Sequence, residues 1–143
     1  MSEEDEGMPL NGFPHAEKIG MRLLPAEKGE ARLVVPYADE LVGDPETGVV
    51  HGGVVTTLLD TGCGIAAISK TGVASGIATL DLRIDYMRPA KPGVALRTDC
   101  ECYRVTRSVA FARGVAYDED PGDPVATAAG AFMITRSKKA AAK

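Results

Sequence analysis

Residues 51–69 read His51-Gly52-Gly53-Val54-Val55-Thr56-Thr57-Leu58-Leu59-Asp60-Thr61-Gly62-Cys63-Gly64-Ile65-Ala66-Ala67-Ile68-Ser69. Within them Val54, Val55, Leu58, Leu59, Gly62, Cys63, Ala66 and Ala67 recur at the spacing of one helical face, which predicts a helix of about four turns. Its β-branched residues and two glycines give it poor intrinsic propensity, so it must be held by packing. Gly62 and Gly64 suit a helix that another backbone approaches closely.

Outward from this helix the pattern is one of strands. Upstream, Ile19–Leu24 and Ala31–Pro36 flank the polar turn 25–30, residues 38–42 suit a short helical turn, and Gly43-Asp44-Pro45-Glu46-Thr47-Gly48 is a loop. Downstream, Ile77–Met87 alternates, with Ala78, Leu80, Leu82, Ile84 and Tyr86 on one face and Thr79, Asp81, Arg83 and Asp85 on the other. Pro89 and Pro92-Gly93 end it, and Val94–Val105, Val109–Tyr117 and Val125–Thr135 follow as further strands. Consecutive strands on hairpin-length connections favour an antiparallel sheet and an α+β fold. One apolar helix wants a curved sheet wrapped around it, the hotdog arrangement.

Composition narrows the class. The chain has 143 residues, 16 Lys plus Arg against 20 Asp plus Glu, and a net charge of −4. That length suits a single domain. Residues 13–136 are expected to form it, between a frayed acidic stretch 1–12 and a mobile basic tail 137–143. The acidic balance argues against broad nucleic-acid binding, which wants a basic face. No stretch approaches the roughly 20 apolar residues of a membrane span, and no secretory leader opens the sequence. Three cysteines, Cys63, Cys100 and Cys102, form no paired framework, so a reducing compartment such as the cytoplasm is expected.

Three groups of residues could carry chemistry. Asp60 is either part of the solvated side of the helix, with Thr56, Thr57, Thr61 and Gly64, or a carboxylate in a partly dry cleft, where desolvation strengthens it as a base. His51-Gly52-Gly53 is either a glycine-rich turn or a place where a ligand oxygen meets free N–H groups at the positive end of a helix dipole, as an oxyanion hole requires. Arg88, Lys91, Arg104, Arg107 and Arg113 are a solvated face or a phosphate-binding set. A metal role for His51 is disfavoured, because His15 is the only other histidine. Gly52 and Asp60 stand eight residues apart, about 12 Å along a helix. One copy therefore cannot bring both to one oxygen, and a shared reaction implies a dimer with sites between chains.

Taken together, His51-Gly52-Gly53-Val54 through Leu59-Asp60, then Thr79-Leu80-Asp81-Leu82 and Asp85-Tyr86-Met87-Arg88-Pro89-Ala90-Lys91-Pro92-Gly93, resemble the hotdog acyl-CoA thioesterases of the phenylacetate-pathway (PaaI-like) type. The resemblance runs from about Gly48 to Ile134. It implies hydrolysis of an acyl-CoA thioester with no cofactor beyond the CoA of the substrate. Asp60 would act as general base or nucleophile, and the Gly52 N–H would polarise the carbonyl beside His51. Thr79 would orient water or carboxylate, and Asp44 would stand where the family carries an asparagine. The CoA contacts would come from Gly53, Asp81, Tyr86, Met87, Arg88, Pro89, Ala90 and Lys91, with Arg104, Thr106, Arg107 and Ser108. The family commonly forms homodimers that pair into tetramers. The alternatives are a silent acyl-CoA binding module and a hotdog dehydratase.

Overall fold

The structure, a computed structural model, describes residues 7–72 and 76–135. The tail expected at 137–143 and the first half of the acidic stretch lie outside them. Residues 7–12 depart from the expected frayed stretch: β1 (Met8–Pro9) pairs with β2 (Arg22–Leu24), and Leu10 is buried in the core. Between them α1 (Pro14–Lys18), absent from the sequence reading, starts on a proline, which suits a first helical turn. β3 (Glu30–Val35) and a single 3-10 turn, Asp39–Leu41, follow. The small hairpin of β4 (Val42–Asp44) and β5 (Val49–Val50) leads into α2 (Gly52–Thr71). Then come β6 (Ile77–Tyr86), β7 (Leu96–Val105), β8 (Val109–Tyr117) and β9 (Ala126–Ile134).

Seven strands form one antiparallel sheet in the order β1-β2-β3-β7-β8-β9-β6. α2 lies across β3, β7 and β8. Its buried residues are Val54, Val55, Leu58, Leu59, Gly62, Cys63, Ala66 and Ala67, the face marked by the 3.6-residue spacing. The first half of that face packs on Leu33, Val35, Leu96 and Ala116, and the second half on Ala31, Cys100, Ala112 and Phe132. This is the hotdog arrangement.

α2 is also long and apolar enough, by length and composition, to cross a membrane, contrary to the sequence expectation. Its apolar stripe is spent on the sheet, as in a core helix. Tight packing explains one of its glycines. A Cβ at Gly62 would stand 2.8 Å from Cys100 Sγ and 3.0 Å from Thr98 Cγ2. Gly72 ends the helix at φ 64°, a left-handed cap that favours glycine.

β6 breaks the expected alternation. Thr79 pairs with Phe132 and Asp81 with Ala131, so Leu80 is the extra residue of a bulge. Opposite buried Phe132, Thr79 turns to the helix side, and the bulge returns Leu82 and Ile84 to that same side. Simple alternation had put Thr79 with Asp81 and Arg83 on the other face. β6 is also a sheet edge, with Leu80 52% exposed.

Candidate active site

The bulge and the helix together make a carboxylate site. Asp60, half-buried on α2, accepts a hydrogen bond of 2.8 Å from the Thr79 hydroxyl at its Oδ1. Both residues line a cleft of about 200 Å3 whose other walls include Ile65, Ile77 and Phe132. Asp60 is therefore not simply part of a solvated helix face: its carboxylate is oriented by a hydroxyl beside an apolar wall.

The N-terminus of α2 is built separately. His51 is its N-cap, with Nδ1 accepting from the Gly53 N–H at 2.8 Å. A neutral ring then carries its proton on Nε2. The His51 carbonyl takes the Val54 N–H at 2.9 Å, and the His51 N–H donates to Leu41 at 2.8 Å. These bonds leave the Gly52 N–H as the first-turn donor that no cap uses.

The two glycines have different reasons. A Cβ at Gly53 would stand 2.9 Å from His51 Nδ1, so Gly53 makes room for the cap. A Cβ at Gly52 would meet only Tyr86 Cε1, at 3.8 Å, so the space over Gly52 is open. The Tyr86 hydroxyl donates to the Gly52 carbonyl at 3.2 Å and pairs with the Thr56 hydroxyl. Sequence reasoning missed this tie between β6 and the first turn, because it joins residues 34 apart.

Gly52 shares a groove of about 360 Å3 with Tyr86, Met87, Arg88, Pro89 and Ala90. Within it Met87 is 58% exposed, whereas Ala90 belongs to the core. Arg88 is engaged inside the protein. It donates to the two Asp118 oxygens at 2.9 and 2.7 Å, and to the carbonyls of Pro89 and Asp123. The backbone N–H of Lys91 adds a third bond to Asp118, at 2.9 Å. The guanidinium, helped by the N–H groups of Lys91 and Glu119, holds the Asp118 carboxyl well below the usual carboxylate range. Arg88 thus fixes the 86–91 segment. The Lys91 ammonium pairs with Glu119 at the surface, 2.8 Å away.

The remaining expected residues lie elsewhere. Asp44 turns its carboxylate into its own loop, accepting from Glu46 N–H at 3.0 Å and the Thr47 hydroxyl at 2.9 Å. Asp81 follows the bulge on the exposed edge strand. Arg104 lies near the end of β7, and Thr106, Arg107 and Ser108 form the β7–β8 turn, where Thr106 closes the hairpin onto Val109 and the Ser108 carbonyl accepts from Ile134. Ile134 pairs with Ile77, so this turn sits at the start of β6, and the Tyr86–Lys91 segment sits at its end. The two expected CoA-binding segments are separated by the length of β6, about 30 Å at the usual rise per strand residue. Gly52 and Asp60 likewise line different clefts. Cys63 is an inert neighbour: its hydrogen bond with Cys100 and its burial push the thiol far up, away from nucleophilic thiolate.

Comparison with known proteins agrees with this architecture. Residues 47–125 match the family model described as "Thioesterase superfamily". The chain is 36% identical over 126 residues to "Putative esterase VNG_1336C" of Halobacterium salinarum, covering 82% of each chain. It is 28% identical over 135 residues to the medium/long-chain acyl-CoA thioesterase YigI of Salmonella typhimurium, covering 85% of this chain and 86% of that one. A crystal structure of a Pseudomonas aeruginosa protein superposes with a TM-score of 0.80 at 45% identity, covering 88% of this chain and 93% of the other. The matched stretch holds both the capped turn at His51–Gly52 and the Asp60–Thr79 pair, and the chain belongs to the thioesterase superfamily.

Proposed function

We propose that the protein hydrolyses acyl-CoA thioesters at sites shared between two copies of the chain. The observation that carries this reading is a carboxylate oriented by Thr79 on the same helix whose first N–H, at Gly52, is left uncommitted. The thioester oxygen sits at Gly52 N–H of one protomer, where a fixed dipole meets the charge that develops in the tetrahedral transition state. Asp60 of the partner subunit takes a proton from water as the water oxygen attacks the carbonyl carbon, or attacks that carbon itself to give an anhydride that water then opens. In either route the C–S bond breaks and CoA leaves as its thiolate, which needs no strong general acid.

The edge strand supports the dimer. Antiparallel pairing of β6 with a second β6 brings the Tyr86 end of each to the Thr79 end of the other. Gly52 then approaches Asp60 of the partner subunit. The same pairing brings the β7–β8 turn toward the partner's Tyr86–Lys91 groove. Arg104 and Arg107 are exposed there, without an ion-pair partner among the described residues, and suit phosphates of a CoA handle. Further pairing into tetramers and a cytoplasmic location, which three unpaired thiols support, belong to the same reading.

The test is release of free thiol from phenylacetyl-, benzoyl- and straight-chain acyl-CoA by the parent and by Asp60→Asn. Turnover by the parent that disappears in the variant is the expected result. Binding without turnover by the parent would identify a sensing module instead.

A further inference from the structure

Gly64 is a glycine without a packing reason. Mid-helix glycine costs about 1 kcal/mol relative to alanine. Gly62 earns its place because Cys100 and Thr98 fill the space of a side chain. At Gly64 a Cβ would meet only Phe132 Cε1, at an ordinary 3.8 Å. Within the one chain no backbone closes over this position; Gly64 opens into the Asp60 cleft.

Its position along α2 gives the opening a direction. Asp60, Gly64 and Ile68 stand at i, i+4 and i+8, one stripe running about 12 Å from the carboxylate toward the helix C-terminus. All three line the same cleft. Beyond Asp60 and Thr79 its walls turn apolar, with Ile65, Ile68, Ile77 and Phe132, and Phe13 stands at the rim, 40% exposed. α1, which follows Phe13, is tied to α2 by a hydrogen bond of 3.2 Å between His15 Nε2 and the Thr57 hydroxyl. The cleft is thus a trough leading away from the carboxylate, with a floor lowered where a side chain is missing.

We propose that this trough holds a straight aliphatic acyl chain, laid along α2 over Gly64 toward Ile68, and that Gly64 sets how long a chain is accepted. The inference rests on the thioesterase reading above. A side chain at 64 fills the trough one turn beyond the carboxylate, so it discriminates against long chains more than short ones. Removing the Ile68 side chain does the opposite.

The experiment measures kcat/KM for butyryl-CoA and dodecanoyl-CoA on the parent, Gly64→Ala, Gly64→Leu and Ile68→Ala. The dodecanoyl-to-butyryl ratio is expected to fall about tenfold or more in Gly64→Leu, the scale on which apolar pockets discriminate. It should fall less in Gly64→Ala and rise in Ile68→Ala. Gly64→Ala guards against misfolding, since it adds only a methyl in ordinary contact and should raise Tm. Unchanged ratios in folded Gly64→Ala and Gly64→Leu overturn the proposal, as does an equal loss for both substrates. The same ratio read as Kd, with each change placed on Asp60→Asn, separates the two readings. A parent that hydrolyses neither of these nor phenylacetyl- or benzoyl-CoA refutes the thioesterase reading, while a chain-length shift in Kd still supports the trough and its absence refutes it.

Discussion

His51 lies at φ −60° and ψ 137°, a conformation that a following proline accepts. Proline is also favoured at the first helical position, where its missing N–H costs the helix nothing. Gly52→Pro therefore deletes the proposed oxyanion donor with little cost to the fold, and kcat should drop about 10²–10³-fold with Tm held. An unchanged kcat would remove Gly52 from the mechanism. His51→Ala tests the cap instead. It should cost about 1 kcal/mol in urea denaturation, and His51→Asp should recover most of it. Asp60, Gly52 and Thr79 could be named from sequence because the motif that holds them is compact or its spacing is recognisable. Phe13 and Gly64 had only open readings, an acyl channel or the core for one and the solvated helix side or a close backbone approach for the other, because nothing local says that α1 delivers Phe13 to the rim of a cleft or that Gly64 opens into it.

At the level of elements, the 3.6-residue spacing of α2 was legible because a helix buried along one stripe writes its burial into every turn. The Leu80 bulge was not, because a two-residue alternation carries no mark of the partner strand's register. Deleting Leu80 should remove the bulge and leave Thr79 opposite Phe132 on the helix side, because Leu82, Asp81 and Thr79 then alternate plainly. The expected outcome is a folded chain that loses less kcat than Thr79→Ala. The Arg88–Asp118 pair was equally invisible, since its halves lie on segments 30 residues apart. Asp118 has a folded pKa below its unfolded value, so the pair's stabilisation is complete above about pH 4 and fades as pH falls further. Asp118→Asn should flatten the acid limb of a Tm-versus-pH curve. At pH 7 it should cost about 3 kcal/mol, the scale for breaking a largely buried pair.

For the whole molecule, the order of elements in the sequence indicated the antiparallel sheet and its central helix. The extent of the N-terminal region was misjudged, because a two-residue strand and a five-residue helix leave too short a pattern to read. The shared-site assembly has its own test. Gly52→Pro and Asp60→Asn should each be inactive alone. Mixed after reversible dissociation, they should regain about a quarter of parental activity, because half of random dimers are mixed and each of these rebuilds one of its two sites. No recovery in verified mixed dimers would place both groups in one chain.

The dependence of α2 on the sheet has a consequence during synthesis. Three of the strands that cover its apolar stripe, β7, β8 and β9, follow it in the chain. A ribosome adding roughly 5–20 residues per second needs about 2–9 s to pass from Thr71 to Tyr117. Until that interval ends, a 20-residue segment apolar enough to enter a bilayer lacks the full cover of β7, β8 and β9. Nascent chains stalled before residue 96 should therefore be bound by chaperones or membranes, and chains stalled after the end of β9 has emerged should be released from both.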